Sequence, residues 1–423
     1  MAELRIKPRR FLWAALGLLA IAAVGTAMPA AAAARHRSVR EAEESGRASP
    51  APPPVALNQI HVMGNRPAPF ALQARAAMLV DARTGAMLYA FNEHQRMQPA
   101  SLAKIMTFYL TLDALRRGAL SLDTQVTVSE QAWRLSMDQS VSRMFLDVGQ
   151  RVAVRDLLYG LMVSSGNDAA VALAEYIAGS SDAFVRMMND KCRELGLAET
   201  HFLSPDGLPE PDQYTTAADM VKLARDLVER FPDALAYTST KEFTSHKIAQ
   251  RNFNTLLFYD SRVNGLKTGH VAEAGYHLVA TASSHGMNLI SAVMGAPSAE
   301  KRRLETEKLL DWAFRSFVTV TPDWHRAIPS ELRVYAGASD RVAIAPATVS
   351  SLTVDRGQES KVSVTGALKA KYLVAPVAKG AQVGEISLMV GGQPQATVPV
   401  ETGAAVAPGG LLHRIADRIR MML

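Results

Sequence analysis

Between about residues 129 and 230 the apolar side chains recur at helical spacing, and the strand-like runs are pushed to either side of that block. The helical segments are "VRDLLYGLMVSS", "NDAAVALAEYIAG", "SDAFVRMMNDKCRELGL" and "TAADMVKLARDLVERF". Ahead of them, "AAMLVDARTGAMLYAF" (76–91) predicts two strands joined at Ala82–Gly85, and "SLAKIMTFYLTLDALRRGAL" predicts a helix ending near Gly118. After them, "GYHLVATASS" and "MNLISAVMGA" predict strands on either side of His285–Gly286, and "EKRRLETEKLLDWAFRSF" a helix. A chain ordered this way must build one sheet from both ends of the region. The expected fold is α+β: an antiparallel sheet flanked by helices, with a helical insertion.

Beyond about residue 320 the pattern changes to short Val/Ile/Thr-rich runs punctuated by Gly and Pro, such as "RVAIAP", "KVSVTGAL" and "EISLMVGG". They predict a small β-rich domain over 321–402, in keeping with a 423-residue chain that is long enough for two or three domains. The tail, "GGLLHRIADRIRMML" (409–423), sets Leu411, Leu412, Ile415, Ile419, Met422 and Leu423 at helical spacing against Arg414, Asp417, Arg418 and Arg420. Such a basic amphipathic helix suits an in-plane membrane anchor, with docking onto its own protein or a dimer partner as the alternative.

At the other end, Arg5, Lys7, Arg9 and Arg10 precede the apolar run "FLWAALGLLAIAAVGTAM" and the small-residue stretch "PAAAAA". Residues 1–34 read as a secretory signal peptide, the alternative being an uncleaved anchor. This segment holds four basic residues against one acidic, half of the formal +6 of the chain. No dense basic patch remains in the globular part, so no nucleic-acid partner is expected. Residues 35–70, charged and then Pro/Ala-rich, read as a disordered linker. Cys192 is the only cysteine, which excludes an intrachain disulfide, and its helical context makes it a packed residue rather than a nucleophile.

Ser101 and Lys104, in "PASLAK", are separated by three positions at the start of a predicted helix, so both lie on one face. A serine hydroxyl becomes a nucleophile when a base takes its proton, and lysine is such a base once burial depresses its pKa. By itself the pattern is weak, and Ser298-Ala299-Glu300-Lys301 repeats it. That second copy leads into the polar "EKRRLETEK" face and reads as a helix cap with a solvated lysine. Two further signals separate the copies. Ser165-Gly166-Asn167 forms a tight turn between two helices, and Lys267-Thr268-Gly269 lies on what reads as an edge strand, where Gly269 admits close approach of another chain. Each is ordinary alone. Together, spaced by 64 and 102 residues, they are the three elements of penicillin-recognising serine enzymes.

The sequence at this point resembles the low-molecular-weight penicillin-binding proteins that act as D-alanyl-D-alanine carboxypeptidases. The likeness runs from about residue 71 to 320, through "VDARTGAMLYAFNEHQRMQPASLAKIMT", "LMVSSGNDAAVALAE", "THFLSPDGLPEPDQYTTAADM", "GLKTGHVAEAGYHLVATA" and "KLLDWAF". The β-rich tail domain and amphipathic C-terminus resemble the membrane-attached branch. The resemblance implies that Ser101 is the acylated nucleophile, Lys104 its general base, and Ser165 a proton relay to the leaving amine. Asn167 would hold the substrate backbone. Lys267, Thr268 and Gly269 would form the strand that receives the substrate carboxylate. Backbone N–H groups of Ser101 and His270 would hold the oxyanion. Arg302 falls where the family places a carboxylate-binding arginine, with Arg303 adjacent. Phe253 stands where related enzymes can carry an arginine, a departure that bears on how the stem peptide is held.

The implied function is a serine-type D-Ala-D-Ala carboxypeptidase, exported to the periplasm, peripherally attached to the membrane, acting on peptidoglycan stem peptides and acylated by β-lactams. No metal or organic cofactor is implied. A DD-endopeptidase and a catalytically silent wall-binding scaffold are the alternatives. A β-lactamase is disfavoured, since no Glu-x-x-Leu-Asn loop is found.

Overall fold

The computed structural model describes residues 49–348 and 351–421, so the expected signal peptide and the last two residues of the tail lie outside it. Three strands open the first domain: β1 (His61–Val62), β2 (Ala76–Asp81) and β3 (Met87–Phe91). A helical layer follows: α1 (Lys104–Arg116), α2 (Glu130–Met137), α3 (Val154–Met162), α4 (Asn167–Ala178), α5 (Ser181–Leu195) and α6 (Ala217–Arg230). Two small ribbons accompany it, β4 (Gln125–Thr127) with β5 (Arg151–Ala153) and β6 (Glu242–Ser245) with β7 (Ile248–Arg251). The chain then returns as β8 (Val263–Val271), β9 (Gly275–Ser284) and β10 (Met287–Ala296), closed by α7 (Ala299–Ser316).

The strands order as β1-β3-β2-β10-β9-β8, antiparallel throughout, with β8 at an edge. The predicted joining of the two ends is the β10–β2 pairing, in which Ile290 faces Val80. Both faces of the sheet are covered, and the period-2 alternation sorts its side chains between two cores. Val80, Val279, Ile290 and Met294 pack with the helical layer, whereas Leu79, Leu278, Leu289 and Val293 pack with Leu309, Leu310 and Phe314 of α7. Helix α5 shows how the local pattern is met. Ser180 caps it by accepting from the N–H of Ala183, Phe184, Met188 and Cys192 form its buried stripe, and Gly196 ends it in a left-handed turn. Burial of each large apolar side chain there contributes about 1.5–3 kcal/mol.

One expectation is corrected. The segment read as linker does not extend to residue 70: Leu57–Gln59 forms a helical turn, His61–Val62 pairs with β3, and Ile60, Val62 and Ala68 are buried. Single apolar residues spaced among Pro, Asn and Gly give no periodicity, which is why composition alone reads this stretch as unfolded.

The second domain carries β11 (Phe317–Val320), β12 (Glu331–Tyr335), β13 (Arg341–Pro346), β14 (Leu352–Asp355), β15 (Val362–Leu368), β16 (Tyr372–Val374), β17 (Gln382–Val390) and β18 (Gln393–Thr402). Six of these form a sheet in the order β15-β17-β18-β13-β12-β16, around Val334, Ile344, Ile386 and Val400. The boundary at 320 falls inside a ribbon, since β11 pairs with β14. Buried Asp81 fastens that ribbon to the first domain by accepting from the hydroxyls of Thr319 and Thr353, at 2.5 and 2.8 Å. A final helix, α8 (Leu411–Arg420), follows.

Candidate active site

The turn that carries Ser101 is built before α1 begins. Ala100–Ala103 is a short 3-10 turn, and Ala100 adopts a left-handed φ of 48° that a residue with a Cβ seldom takes without external support. Support comes from three directions. The backbone of Met97 exchanges hydrogen bonds with Thr215, at 2.9 and 2.8 Å. Gly207 lies directly against the turn: a Cβ there would stand 1.9 Å from the carbonyl oxygen of Ala100. Gly269 of β8 lies on another side, where an added Cβ would come within 3.1 Å of the Pro99 carbonyl and 3.2 Å of the Ala100 Cβ. That close approach is the one expected of the Lys-Thr-Gly strand.

Lys104 is fully buried, and its Nζ is 2.9 Å from Ser101 Oγ, 2.5 Å from Asn167 Oδ1 and 2.7 Å from the carbonyl oxygen of Asp206. These three acceptors match the three protons of an ammonium. Burial lowers its pKa from 10.5 to about 8, against the opposing charges of Asp206 and Asp168. Once a proton is lost, the geometry reverses at one contact: Nζ accepts from the Ser101 hydroxyl while still donating to Asn167 and Asp206. This is what a general base for serine requires.

Ser165 sits in the turn between α3 and α4 at a left-handed φ of 56°, buried, with its Oγ 2.9 Å from Nζ of Lys267. Lys267 and Thr268 are buried on β8, and Lys267 also donates to the Thr268 carbonyl at 3.0 Å. The predicted residues Ser101, Lys104, Ser165, Asn167, Lys267, Thr268 and Gly269 are thus brought to one place. His270 follows them on β8, its ring stacked on Tyr276 at 3.9 Å and half-buried, which together with nearby Arg302 holds its pKa below the usual value. Of the two adjacent arginines, Arg302 is buried, donates to the Phe253 carbonyl at 3.2 Å and stands over Tyr276. Arg303 instead pairs with Glu307 and lies over Tyr259. Arg302 is therefore the one beside the site.

The second Ser-x-x-Lys is a cap, as read: Ser298 Oγ accepts from the backbone N–H of Lys301 at the start of α7. Cys192 is buried, and burial pushes its thiol up to about 12, which suppresses the thiolate. Reading of the sequence missed three contributors. Asp206 acts on Lys104 through its main-chain carbonyl, to which side-chain type gives no clue. Asp168 lies inside a helix pattern. His277 is a lone imidazole in the apolar run "GYHLVATA", an odd residue for a strand buried along nearly its full length and the one signal available for it.

An edge strand bearing Lys-Thr-Gly, a buried lysine against a serine and a Ser-x-Asn turn define a serine-type DD-peptidase. Residues 63–298 match the family described as D-alanyl-D-alanine carboxypeptidase, and residues 325–407 match the C-terminal domain of penicillin-binding protein 5. The chain is 39% identical over 353 residues to the D-alanyl-D-alanine carboxypeptidase DacA of Haemophilus influenzae, covering 82% of this chain and 89% of the relative. It is likewise 39% identical over 353 residues to DacC of Escherichia coli, covering 83% and 88%. The solved penicillin-binding protein 5 from Haemophilus influenzae superposes with a TM-score of 0.71 at 39% identity, over 80% of this chain and 99% of that one. The chain belongs to the D-alanyl-D-alanine carboxypeptidase family of serine peptidases.

Proposed function

We propose that this enzyme removes the terminal D-alanine from peptidoglycan stem pentapeptides, with Ser101 as the acylated residue. The observation that carries the reading is the 2.9 Å contact between Ser101 Oγ and a fully buried Lys104 Nζ. Neutral Lys104 takes the hydroxyl proton as Oγ attacks the carbonyl of the penultimate D-alanine. The oxyanion rests on the backbone N–H groups of Ser101 and His270. Ser165 passes the proton to the leaving amine, the C–N bond breaks, and free D-alanine departs. Water then attacks the acyl ester, and Lys104 again accepts the proton. Asn167 holds the substrate backbone; Lys267 and Thr268, with Arg302 behind them, receive the terminal carboxylate. β-Lactams enter the same path and stop at the ester.

We also infer peripheral attachment to the outer face of the cytoplasmic membrane through α8. The helix docks by one side, where buried Asp417 accepts from the Ala336 N–H at 2.8 Å and pairs with Arg420 and His413. Its other side leaves Leu411, Leu412, Ile415 and Ile419 exposed by half or more. Among the described residues no helix is long and apolar enough to cross a membrane, so the contact would be in-plane.

The test is intact-protein mass spectrometry after penicillin exposure, with D-alanine release measured alongside. Ser101→Ala loses both the adduct and turnover, by on the order of 10³-fold or more in rate, whereas Ser298→Ala keeps both. A covalent adduct retained by Ser101→Ala refutes the assignment.

A further inference from the structure

Asp168 follows Asn167 on α4, is fully buried, and belongs to no ion pair among the described residues. Its carboxylate accepts from four donors: Ser136 Oγ at 2.6 Å, the N–H of Met144 at 2.8 Å, the N–H of Leu146 at 3.2 Å and its neighbour's N–H, Ala169, at 2.9 Å. Ser136 accepts in turn from Leu146 N–H, so helix α2 and the 138–146 segment are tied to one carboxylate. That segment borders the site, because the N–H of Asn167 donates to the carbonyl of Ser142 at 2.9 Å. Packing there is tight: a Cβ on Gly166 would meet Asp168 Oδ1 at 2.8 Å, and one on Gly160 would meet the Met144 sulfur at 2.2 Å. Hydrogen bonds to a carboxylate acceptor are of the stronger, charge-assisted kind. A buried anion beside the residue that ligates Lys104 then acts on that amine with little screening.

We propose that Asp168 is a positioning residue that both moors the 138–146 wall under Asn167 and supplies the buried negative charge faced by Lys104. The charged groups acting on Lys104 are Asp206, from the segment before α6, and Asp168 of α4; the cation of Lys267 on β8 contacts Ser165, two residues before Asn167. Asp168 and Asp206 both favour its protonated form and limit the effect of burial. The inference rests on Lys104 as the base.

The experiment is the pH dependence of penicillin acylation, per titrated active site, which removes misfolded chains from the count. Asp168→Asn is expected to move the acid limb down by about half a pH unit or more, because loss of the anion eases deprotonation of Lys104. Its plateau also falls as the wall loosens. Ser136→Ala keeps the charge and lowers only the plateau. Asp168→Ser, a second neutral variant, is read in the same way where Asn gives no titratable sites. An unmoved limb in the neutral variants, or an equal shift in Ser136→Ala, overturns the proposal. Failure of the underlying reading looks different: wild type would then show no acid limb near pH 8, or Lys104→Arg would acylate at the wild-type rate.

Discussion

The imidazole of His277 on β9 stands between the sheet and the turn that carries Ser101: its Nδ1 accepts from the Gly295 N–H at 2.9 Å, leaving Nε2 to donate to the Gln98 carbonyl at 3.2 Å. The first contact fixes the tautomer, so the second is a donated bond that steadies the chain three residues before Ser101. Burial drives the pKa of His277 from 6.5 down to about 3.

Acid should therefore weaken this fold through His277. Between pH 6.5 and about 3 the unfolded chain takes up a proton that the native imidazole refuses, so stability falls as pH falls across that window. The effect has an upper bound on the order of 5 kcal/mol. His277→Gln should flatten this part of the stability–pH curve, as read from thermal unfolding at pH 7, 5 and 4. An unchanged slope would show that other groups carry it.

Lys104 predicts a rise with pH. Acylation should increase about tenfold per unit below pH 8 and level off above it, because only the neutral amine accepts the Ser101 proton. Stability moves the same way over a different window. The unfolded amine holds its proton to about 10.5 and the native one only to about 8, so the native state gains as pH climbs from 8 to 10.5. Lys104→Arg keeps a cation that does not deprotonate and should lose about 10²- to 10⁴-fold in acylation rate at every pH.

Gly207→Ala should damage both fold and site. The position has a φ of 80°, and its new methyl would stand 1.9 Å from the carbonyl of Ala100. Backbone cannot yield there as a flexible side chain would, so a loss of about 2 kcal/mol or more is expected in denaturant unfolding, with slower acylation. Gly118→Ala, also at positive φ but facing open space, is the control for conformational strain alone.

Replacing Leu412 and Ile415 by Asp together should weaken binding to phosphatidylglycerol-containing vesicles by on the order of 10²-fold, from the lost apolar burial. Hydrolysis of a soluble peptide should be unaffected. Co-sedimentation measures the first and D-alanine release the second. Undiminished sedimentation would assign the exposed face of α8 to another partner.

The order of strands and helices was readable because long apolar periods survive any tertiary context: β9, β10 and the helices from α3 to α6 all lie where the pattern puts them. The convergence of Ser101, Lys104, Ser165, Asn167 and Lys267 was readable because their residue types and order are constrained by chemistry. What stayed hidden works through backbone or through neighbours. Asp206 offers only a carbonyl, Gly207 only an absent methyl, and Asp168 a carboxylate directed at main-chain donors. The early residues Ile60 and Val62 were missed because two buried positions form no period. In the tail the apolar stripe was legible, but Asp417 was not a solvated member of the polar face: it is the docking residue.

The three acceptors around Lys104 come from positions 101, 167 and 206, each on a separate stretch of chain. Until the last of those stretches is in place, the amine keeps the proton affinity of any hydrated lysine and Ser101 stays an unreactive alcohol. The lysine's altered basicity is consequently a property of the assembled site and of no single segment. If Ser101 is the acylated residue, a chain with any of those stretches undocked should neither cleave peptide nor be labelled there by a β-lactam.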